Sequence, residues 1–402
     1  MEVSLIGLGG GAFGALGPDA RRALEQAELV LGAERLLESL PKNDRQRQIT
    51  AARVEDVFSR IRGTEAARVC VVYSGDTGFY SGAKGLVPLL REAAIPFRVL
   101  PGLSSVQLLS AQLGEAWQDW TLCSAHGVDC DPIPALMAGK RAFFLTGGKC
   151  TPASLCRDIT DAGLGELCAV VGENLGCEAE RVVTMTAAEA SASVFAPLSV
   201  LLVDPAPRPY PRAGGIPDDA FIRSGVPMTK QELRAAILAK LGVARTDTVW
   251  DVGAGTGSVS VELALAAERG RACAVEYRDE ALALIEQNRA RFGAWNLRVV
   301  PGRAPEALDA LPAPDAVFIG GSEGALAGIV DAALAKNPNV RLCVSAIALE
   351  TLSAALELFN ARGLDTEVTQ LSVSRARADG RLHLLLANNP VFLISARREG
   401  SA

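Results

Sequence analysis

The chain alternates short apolar runs with stretches of helical periodicity from one end to the other. That pattern predicts strands and helices in turn. In the first half, runs of strand length lie at Val3–Ile6, Val69–Tyr73, Phe97–Leu100, Ala142–Leu145, Cys168–Val171 and Val200–Val203. In the second half they lie at Thr248–Val252, Ala272–Glu276, Leu297–Val300, Ala316–Ile319 and Val340–Ser345. Helical stretches separate these, the first from about Ser258 to Glu268 and the next from Glu280 to about Arg291. Two further runs, around Glu367–Val373 and at Leu382–Leu386, have no helix between them. They predict an antiparallel hairpin closing a doubly wound sheet. Between the halves, residues 204–217 carry Pro205, Pro207, Pro209, Pro211 and Pro217. Proline fixes φ and removes backbone donors, so neither a helix nor a central strand runs through this stretch. The expected organisation is an α/β domain over 1–203, a proline-rich linker over 204–217 and a second α/β domain over 218–402. The halves share no motif order, so they are not a tandem repeat.

Composition narrows the function. The 402 residues are 49% apolar and 21% charged, enough to bury real cores. The formal net charge of −6 argues against nucleic acid as a partner. An anionic small molecule stays open, since it needs only a local cluster of Arg; Arg375, Arg377 and Arg381 are candidates, their alternative being a solvated face. The N-terminus lacks a basic leader and runs straight into a strand-like segment, and no apolar stretch has the length of a membrane span. Nine scattered Cys with no C-x-x-C pair read as core thiols in a reducing cytoplasm, not as a disulfide framework or a metal site. With only His126 and His383, histidine-based metal or Ser–His–Asp chemistry is poorly supported. No membrane or nucleic-acid partner is expected; a homo-oligomer is.

The second half holds the clearer motif. The strand Thr248–Val252 contains Asp251 and runs into Gly253-Ala254-Gly255-Thr256-Gly257, followed by a helix; Glu276 ends the next strand. Glycines let the backbone pass close to a ligand, and the helix start offers free N–H groups. A carboxylate at the second strand end can accept both ribose hydroxyls. The G-x-G-x-G spacing is tighter than the G-x-G-x-x-G of dinucleotide sites, and S-adenosylmethionine has no pyrophosphate to house. A tight strand–helix turn with Glu276 as a plain strand end is the alternative. With Pro227-Met228-Thr229-Lys230, Gly302-Arg303-Ala304-Pro305-Glu306, Phe318-Ile319-Gly320-Gly321-Ser322 and Ser345-Ala346-Ile347-Ala348-Leu349-Glu350, this half resembles the class I Rossmann-like methyltransferases. More closely, it resembles the decarboxylating precorrin methyltransferases that act on carbon 15. The resemblance covers about residues 218–396 and places Thr229, Gly253, Ala254, Gly255, Thr256, Gly257, Glu276 and Ala304 around the cofactor.

In the first half, residues 9–14 formally satisfy G-x-G-x-x-G after a strand. A lone match is weak, and no acid closes a second strand at the right distance. Tyr73-Ser74-Gly75-Asp76-Thr77-Gly78-Phe79, Pro101-Gly102-Leu103-Ser104-Ser105, Ser124-Ala125-His126-Gly127 and Leu145-Thr146-Gly147-Gly148 resemble the class III tetrapyrrole methylases, specifically those that methylate carbon 5 of a precorrin. The resemblance covers about residues 1–203. It implies two α/β subdomains with the cofactor folded between them, contacted by Gly75, Asp76, Phe79, Ser104, Ser105 and Thr146. Two departures stand out: Thr77 replaces the family's usual Pro, and Val128 replaces the Arg of a His-Gly-Arg. Read from the residues alone, Asp76 and Ser104–Ser105 are also plain helix caps, and His126 is a hydrogen-bonded turn residue before it is a catalyst.

Together the two resemblances imply S-adenosylmethionine as cofactor, one site per domain. They imply a tetrapyrrole polycarboxylate substrate, methylated at carbons 5 and 15 and decarboxylated at the carbon 12 acetate, as precorrin-6B to precorrin-8X in cobalamin biosynthesis. No catalytic acid or base is implied; Glu306 and Glu350 are candidates by polarity. The rivals are a nicotinamide-dependent oxidoreductase built on the Gly9–Gly14 loop and a non-catalytic corrinoid-binding protein.

Overall fold

A computed structural model describes residues 1–10, 16–41, 43–208, 214–379 and 381–398. The chain divides into two units, Met1–Pro132 with Lys140–Pro205, and Ile133–Gly139 with Ala206–Ala402. The last change of unit, after Pro205, falls in the proline stretch, and part of that stretch, 209–213, lies outside the described residues.

The first unit opens on a parallel sheet built from β1 (Glu2–Gly7), β2 (Leu29–Gly32), β3 (Arg47–Thr50), β4 (Arg68–Tyr73) and β5 (Phe97–Leu100), in the order β3-β2-β4-β1-β5. Its side chains divide strictly by the period of two. Val3, Leu5, Val69 and Val71 join one core with helices Val54–Arg62 and Ala83–Glu92. Ile6, Leu8, Cys70 and Val72 join the other with helices Pro18–Gln26 and Glu34–Glu38. Such a sheet, apolar on both faces, can only be covered on both. A second, mixed sheet follows: β6 (Thr121–Ser124), β7 (Ala142–Leu145), β8 (Cys168–Glu173), β9 (Arg181–Thr186) and β10 (Ser199–Val203), ordered β6-β7-β10-β8-β9. These are the two α/β subdomains the sequence led us to expect, although β2, β3, β6 and β9 were not foreseen.

The second unit is a sheet ordered β13-β12-β11-β14-β15-β19-β16. Its strands are β11 (Thr248–Val252), β12 (Arg271–Glu276), β13 (Leu297–Pro301), β14 (Ala316–Ile319), β15 (Arg341–Ala346), β16 (Asp365–Leu371) and β19 (Val391–Arg397); β17 (Ser374–Asp379) and β18 (Leu382–Ala387) stand apart. β11 to β15 run parallel, and β19 lies antiparallel to both β15 and β16. Helices Gln231–Leu241, Ser258–Ala266 and Asp279–Phe292 cover one face. Helices Leu326–Lys336 and Leu349–Ala361 cover the other.

The closing hairpin differs from expectation. Leu382–Leu386 does not join the sheet; β18 pairs with β17 as a separate ribbon, with Leu382, Leu384, Leu385 and Leu386 exposed. The strand that completes the sheet is β19, whose Leu393 and Ile394 are fully buried. An apolar run shows that a strand forms, but not which partner it meets.

A buried ion network ties the segment after the linker to this unit. Arg234 is fully buried and donates from Nε to Glu262 Oε1 (2.8 Å) and from Nη1 to Asp218 Oδ1 (2.8 Å). It also donates to the carbonyls of Thr229 and Ile216. Glu262 accepts in addition from the N–H groups of Gly215 (2.9 Å) and Ile216 (3.1 Å). Arg375 reaches in from β17 to Asp218 Oδ2 (2.8 Å) and Glu232. The Arg375 proposed for substrate carboxylates is thus already engaged by two carboxylates of the protein and braces the ribbon.

Candidate functional site

The second unit has a cavity of about 660 Å³ at the carboxyl ends of β11 to β15, within the usual size for small-molecule sites. Loops at this end of a parallel sheet are where ligands bind, because the strand order reverses there and opens a crevice. Thr229, Gly253, Ala254, Gly255, Thr256, Glu276 and Ala304 all line it. Gly255 holds a left-handed φ of 56°, which a branched residue resists. Gly257 is placed differently: it does not line the cavity but precedes the helix Ser258–Ala266, where a Cβ would stand 3.0 Å from Ile285 Cγ1. A side chain there would crowd the helix Asp279–Phe292.

Two carboxylates stand on the cavity wall in different states. Glu276 is 3% exposed, and its oxygens accept from the N–H groups of Gly255 (3.0 Å), Tyr277 (3.0 Å) and Arg278 (3.1 Å) and from Arg278 Nε (3.2 Å). Burial alone would raise its pKa, but the Arg278 guanidinium and these N–H donors hold it below the usual range. Asp251 is 1% exposed. Burial first, and then the nearby Glu276 charge, push its carboxyl up to about 7, against hydrogen bonding from the Ser260 hydroxyl and backbone. Its Oδ1 and the buried Thr256 Oγ1 have no hydrogen-bond partner among the described residues. Unsatisfied buried polar atoms are costly and rare, so a wall carrying two suits a polar ligand. A nucleoside with hydroxyls for Glu276 and a cationic group near Asp251, as in S-adenosylmethionine, fits these donors and acceptors.

The first unit has a smaller cavity, about 280 Å³, lined by Gly75, Asp76, Phe79, Ser104, Ser105 and Thr146. They come from the loops after β4 and β5 and from the end of β7. Asp76 is not a helix cap. Its Oδ2 accepts from Gly78 N (2.8 Å) and its Oδ1 from Gly102 N (3.3 Å), which ties two cavity loops together. Ser104 does cap the helix Ser105–Leu113, in a reciprocal box with Gln107. Thr146 Oγ1 donates to the Ser199 carbonyl (2.5 Å), and His126 Nδ1 donates to the Thr146 carbonyl (3.2 Å). His126 is a hydrogen-bonded turn residue, as its surroundings in the sequence suggest. Gly9 exchanges two backbone hydrogen bonds with Gly75, both 3.0 Å. Its N–H therefore does not face a pyrophosphate, which weakens the dinucleotide reading; Gly14 lies outside the described residues.

Several rim groups were missed. Arg35, whose Nη2 donates to Ser74 Oγ (3.4 Å), lines the first cavity; Tyr277, Arg278, Arg303 and Glu323 line the second. Each of the last four follows a parallel strand end, the one signal that would have flagged them. Glu306 lines the second cavity, whereas Glu350 does not and sits in the first turn of the helix Leu349–Ala361.

Comparison with known proteins assigns a class to each unit. Residues 2–191 match the family described as Tetrapyrrole (Corrin/Porphyrin) Methylases, and residues 219–398 match the Precorrin methyltransferase domain. The chain is therefore a tetrapyrrole methylase joined to a precorrin methyltransferase domain. A relative from Sinorhizobium sp, Precorrin-6Y C(5,15)-methyltransferase [decarboxylating], is 34% identical over 383 residues, 93% of this chain and 91% of its own. The chain belongs to that family of fused, decarboxylating precorrin methyltransferases. A shorter relative from Pyrobaculum calidifontis, a probable cobalt-precorrin-6B C(15)-methyltransferase (decarboxylating), is 45% identical over 185 residues, 45% of this chain and 95% of its own. A crystal structure of precorrin-6Y C5,15-methyltransferase from Geobacter metallireducens is 37% identical, covering 47% of this chain and 99% of that one with a TM-score of 0.45.

Proposed function

We propose that the chain methylates precorrin-6B at carbons 5 and 15 and removes the carbon 12 acetate carboxyl, giving precorrin-8X for cobalamin synthesis. The first unit methylates carbon 5. The second methylates carbon 15 and decarboxylates. Each holds one S-adenosylmethionine. The observation that carries this reading is that each unit has its own cavity, gathering residues from strand-end loops far apart in sequence. The chain works in the cytoplasm as a homo-oligomer, without nucleic acid or membrane. Its nine free cysteines support that setting, and among the described residues no helix is long and apolar enough to cross a membrane.

When bound, S-adenosylmethionine supplies an activated sulfonium methyl. In the second unit, Glu276 would take the ribose hydroxyls, and the Gly255 turn would let the backbone close on the ligand. In the first, Ser104, Ser105 and Thr146 would hold it beside the loops that Asp76 ties together. The ring carbons of a reduced tetrapyrrole are enamine-like nucleophiles, so the protein's task is alignment, which contributes about 7–11 kcal/mol in well-oriented reactions. Loss of the carboxyl as carbon dioxide leaves its electron pair on the conjugated ring, which a proton then quenches. Neither reaction calls for a strong protein base; of the two acids that the sequence offers by polarity, Glu306 lines the cavity and Glu350 does not.

Incubation of the full chain with precorrin-6B and methyl-labelled S-adenosylmethionine tests this. The product should gain two labelled methyls and lose one carbon dioxide by mass, and calorimetry with S-adenosylhomocysteine should show two sites. NAD(H) binding in the first unit would favour the oxidoreductase rival, and tetrapyrrole binding without methyl transfer would favour the carrier.

A further inference from the structure

Three strands of the second unit, β12, β13 and β14, end in loops that bring Tyr277, Arg303 and Glu323 together at the cavity rim. The Arg303 guanidinium lies over the Tyr277 ring, 3.7 Å from its centroid. Its Nη1 donates to Glu323 Oε2, and the Tyr277 hydroxyl donates to Glu323 Oε1 at 2.7 Å. A guanidinium and a phenol thus grip both oxygens of one carboxylate, and that carboxylate is the protein's own. Glu323 takes a left-handed φ of 45°, a conformation that non-glycine residues hold only when their surroundings impose it. The side chains of Arg303 and Glu323 are 59% and 57% exposed, so water screens their attraction and the pair is easily exchanged. Arg278, the neighbouring rim cation, is already paired with Glu276.

We propose that the Arg303–Tyr277 pair is a docking point for a carboxylate of the substrate, and that Glu323 is a built-in occupant which this carboxylate displaces. The inference rests on the reading of the second unit as the part that takes a tetrapyrrole polycarboxylate, and goes beyond it by naming the groups that hold one acid side chain. A planar guanidinium receives a carboxylate through two parallel N–H bonds, and the ring beneath Arg303 fixes its plane in advance. Hydrogen bonds from Tyr277 and Arg303 hold Glu323 below the usual carboxylate range, so it is an anion and a true competitor at neutral pH. An anion that brings no further contacts cannot recover what it loses by evicting Glu323. The occupant thereby selects for a large ligand with several carboxylates.

Steady-state kinetics of the full chain with precorrin-6B, alongside calorimetry with S-adenosylhomocysteine, tests the proposal. Arg303→Ala should raise KM for the tetrapyrrole about tenfold, the loss expected for a hydrogen-bonded charge, and flatten its dependence on salt. Glu323→Gln should change KM in the opposite direction, lowering it about threefold, because a neutral amide competes less well. Both variants should keep the parent's affinity for S-adenosylhomocysteine. If both raise KM alike, the cluster is only a brace and the proposal fails. If Arg303→Ala weakens S-adenosylhomocysteine and leaves the tetrapyrrole KM unchanged, the platform serves the cofactor and the proposal also fails. A parent chain that does not convert precorrin-6B overturns the functional reading itself and this inference with it, an outcome distinct from both.

Discussion

Replacing Asp251 by Asn should change the stability of the second unit by an amount that depends on pH. Asp251 is buried beside the cavity, and its carboxyl is pushed from an ordinary 3.8 up to about 7. Below the lower value both folded and unfolded chains hold the proton and nothing is lost. Between the two values the unfolded chain releases a proton that the folded chain must keep, so stability falls as pH rises, and it levels off above about 7. From pH 5 to pH 7 the folded group stays protonated over about two units, each worth 1.36 kcal/mol, or about 3 kcal/mol in all. Asparagine cannot titrate, so it escapes that loss. Its carbonyl still accepts from Ser260, but its amide has no acceptor in place of the orphaned Oδ1. That fixed penalty, about 1–3 kcal/mol, is the same at every pH and drops out of the comparison. The variant's stability relative to the parent should therefore rise by about 3 kcal/mol between pH 5 and pH 8. Urea unfolding at the two pH values measures it, and the neighbouring buried Trp250 provides a fluorescence signal from this unit. An offset equal at both pH values would mean that Asp251 is ionised throughout and would refute the reasoning. Since a nearby cation favours the ionised form, S-adenosylmethionine should also bind this cavity more tightly at pH 8 than at pH 6 in the parent and equally at both in the variant.

Arg234→Met should destabilise the second unit by about 3–5 kcal/mol, the usual result of leaving buried carboxylates without their cation; urea unfolding should show the loss in that unit's transition, and a loss under 1 kcal/mol would mean that the N–H donors of Gly215 and Ile216 suffice for Glu262. Gly255→Val places a branched side chain at a left-handed position, so calorimetry should show one S-adenosylhomocysteine site instead of two, with carbon 15 methylation and carbon dioxide release both abolished. Retention of either reaction would move the second site elsewhere.

The sheets were legible where burial on both faces wrote a continuous apolar run into the chain. β1, β4, β11, β12 and β14 are of this kind, and their limits came within a residue or so of the sequence reading. β3 and β9 escaped because they are edge strands: Arg47, Gln48 and Thr50 of β3 are exposed, so no selection for apolar residues marks it. β2 is hidden for the opposite reason, since four buried residues are too few to show a period. The ribbon of β17 and β18 misled because its leucines satisfy the rule for a core strand while lying in solvent. Periodicity reports which residues prefer burial; the partner that buries them is a tertiary fact.

The site divides along the same line. Gly253, Gly255, Glu276, Gly75 and Ser104 answer local demands that a sequence can show: a left-handed turn, a strand-end acid, or a cap within a few residues of its partner; Asp76 read locally as a cap, whereas it ties its own loop to Gly102, 26 residues on. Asp251 was visible as part of the motif, but its raised pKa was not, since that follows from a burial that the whole unit creates. The rim groups are harder still. Tyr277 and Glu323 are 46 residues apart, and Arg303 meets both only because β12, β13 and β14 end at the same edge of one sheet. Each alone reads as an ordinary surface residue. If Glu323→Gln and Arg303→Ala shift the tetrapyrrole KM in opposite directions, then two of the substrate-selecting residues carry only the mark of a strand end in the sequence, and the sheet topology is what makes them a site.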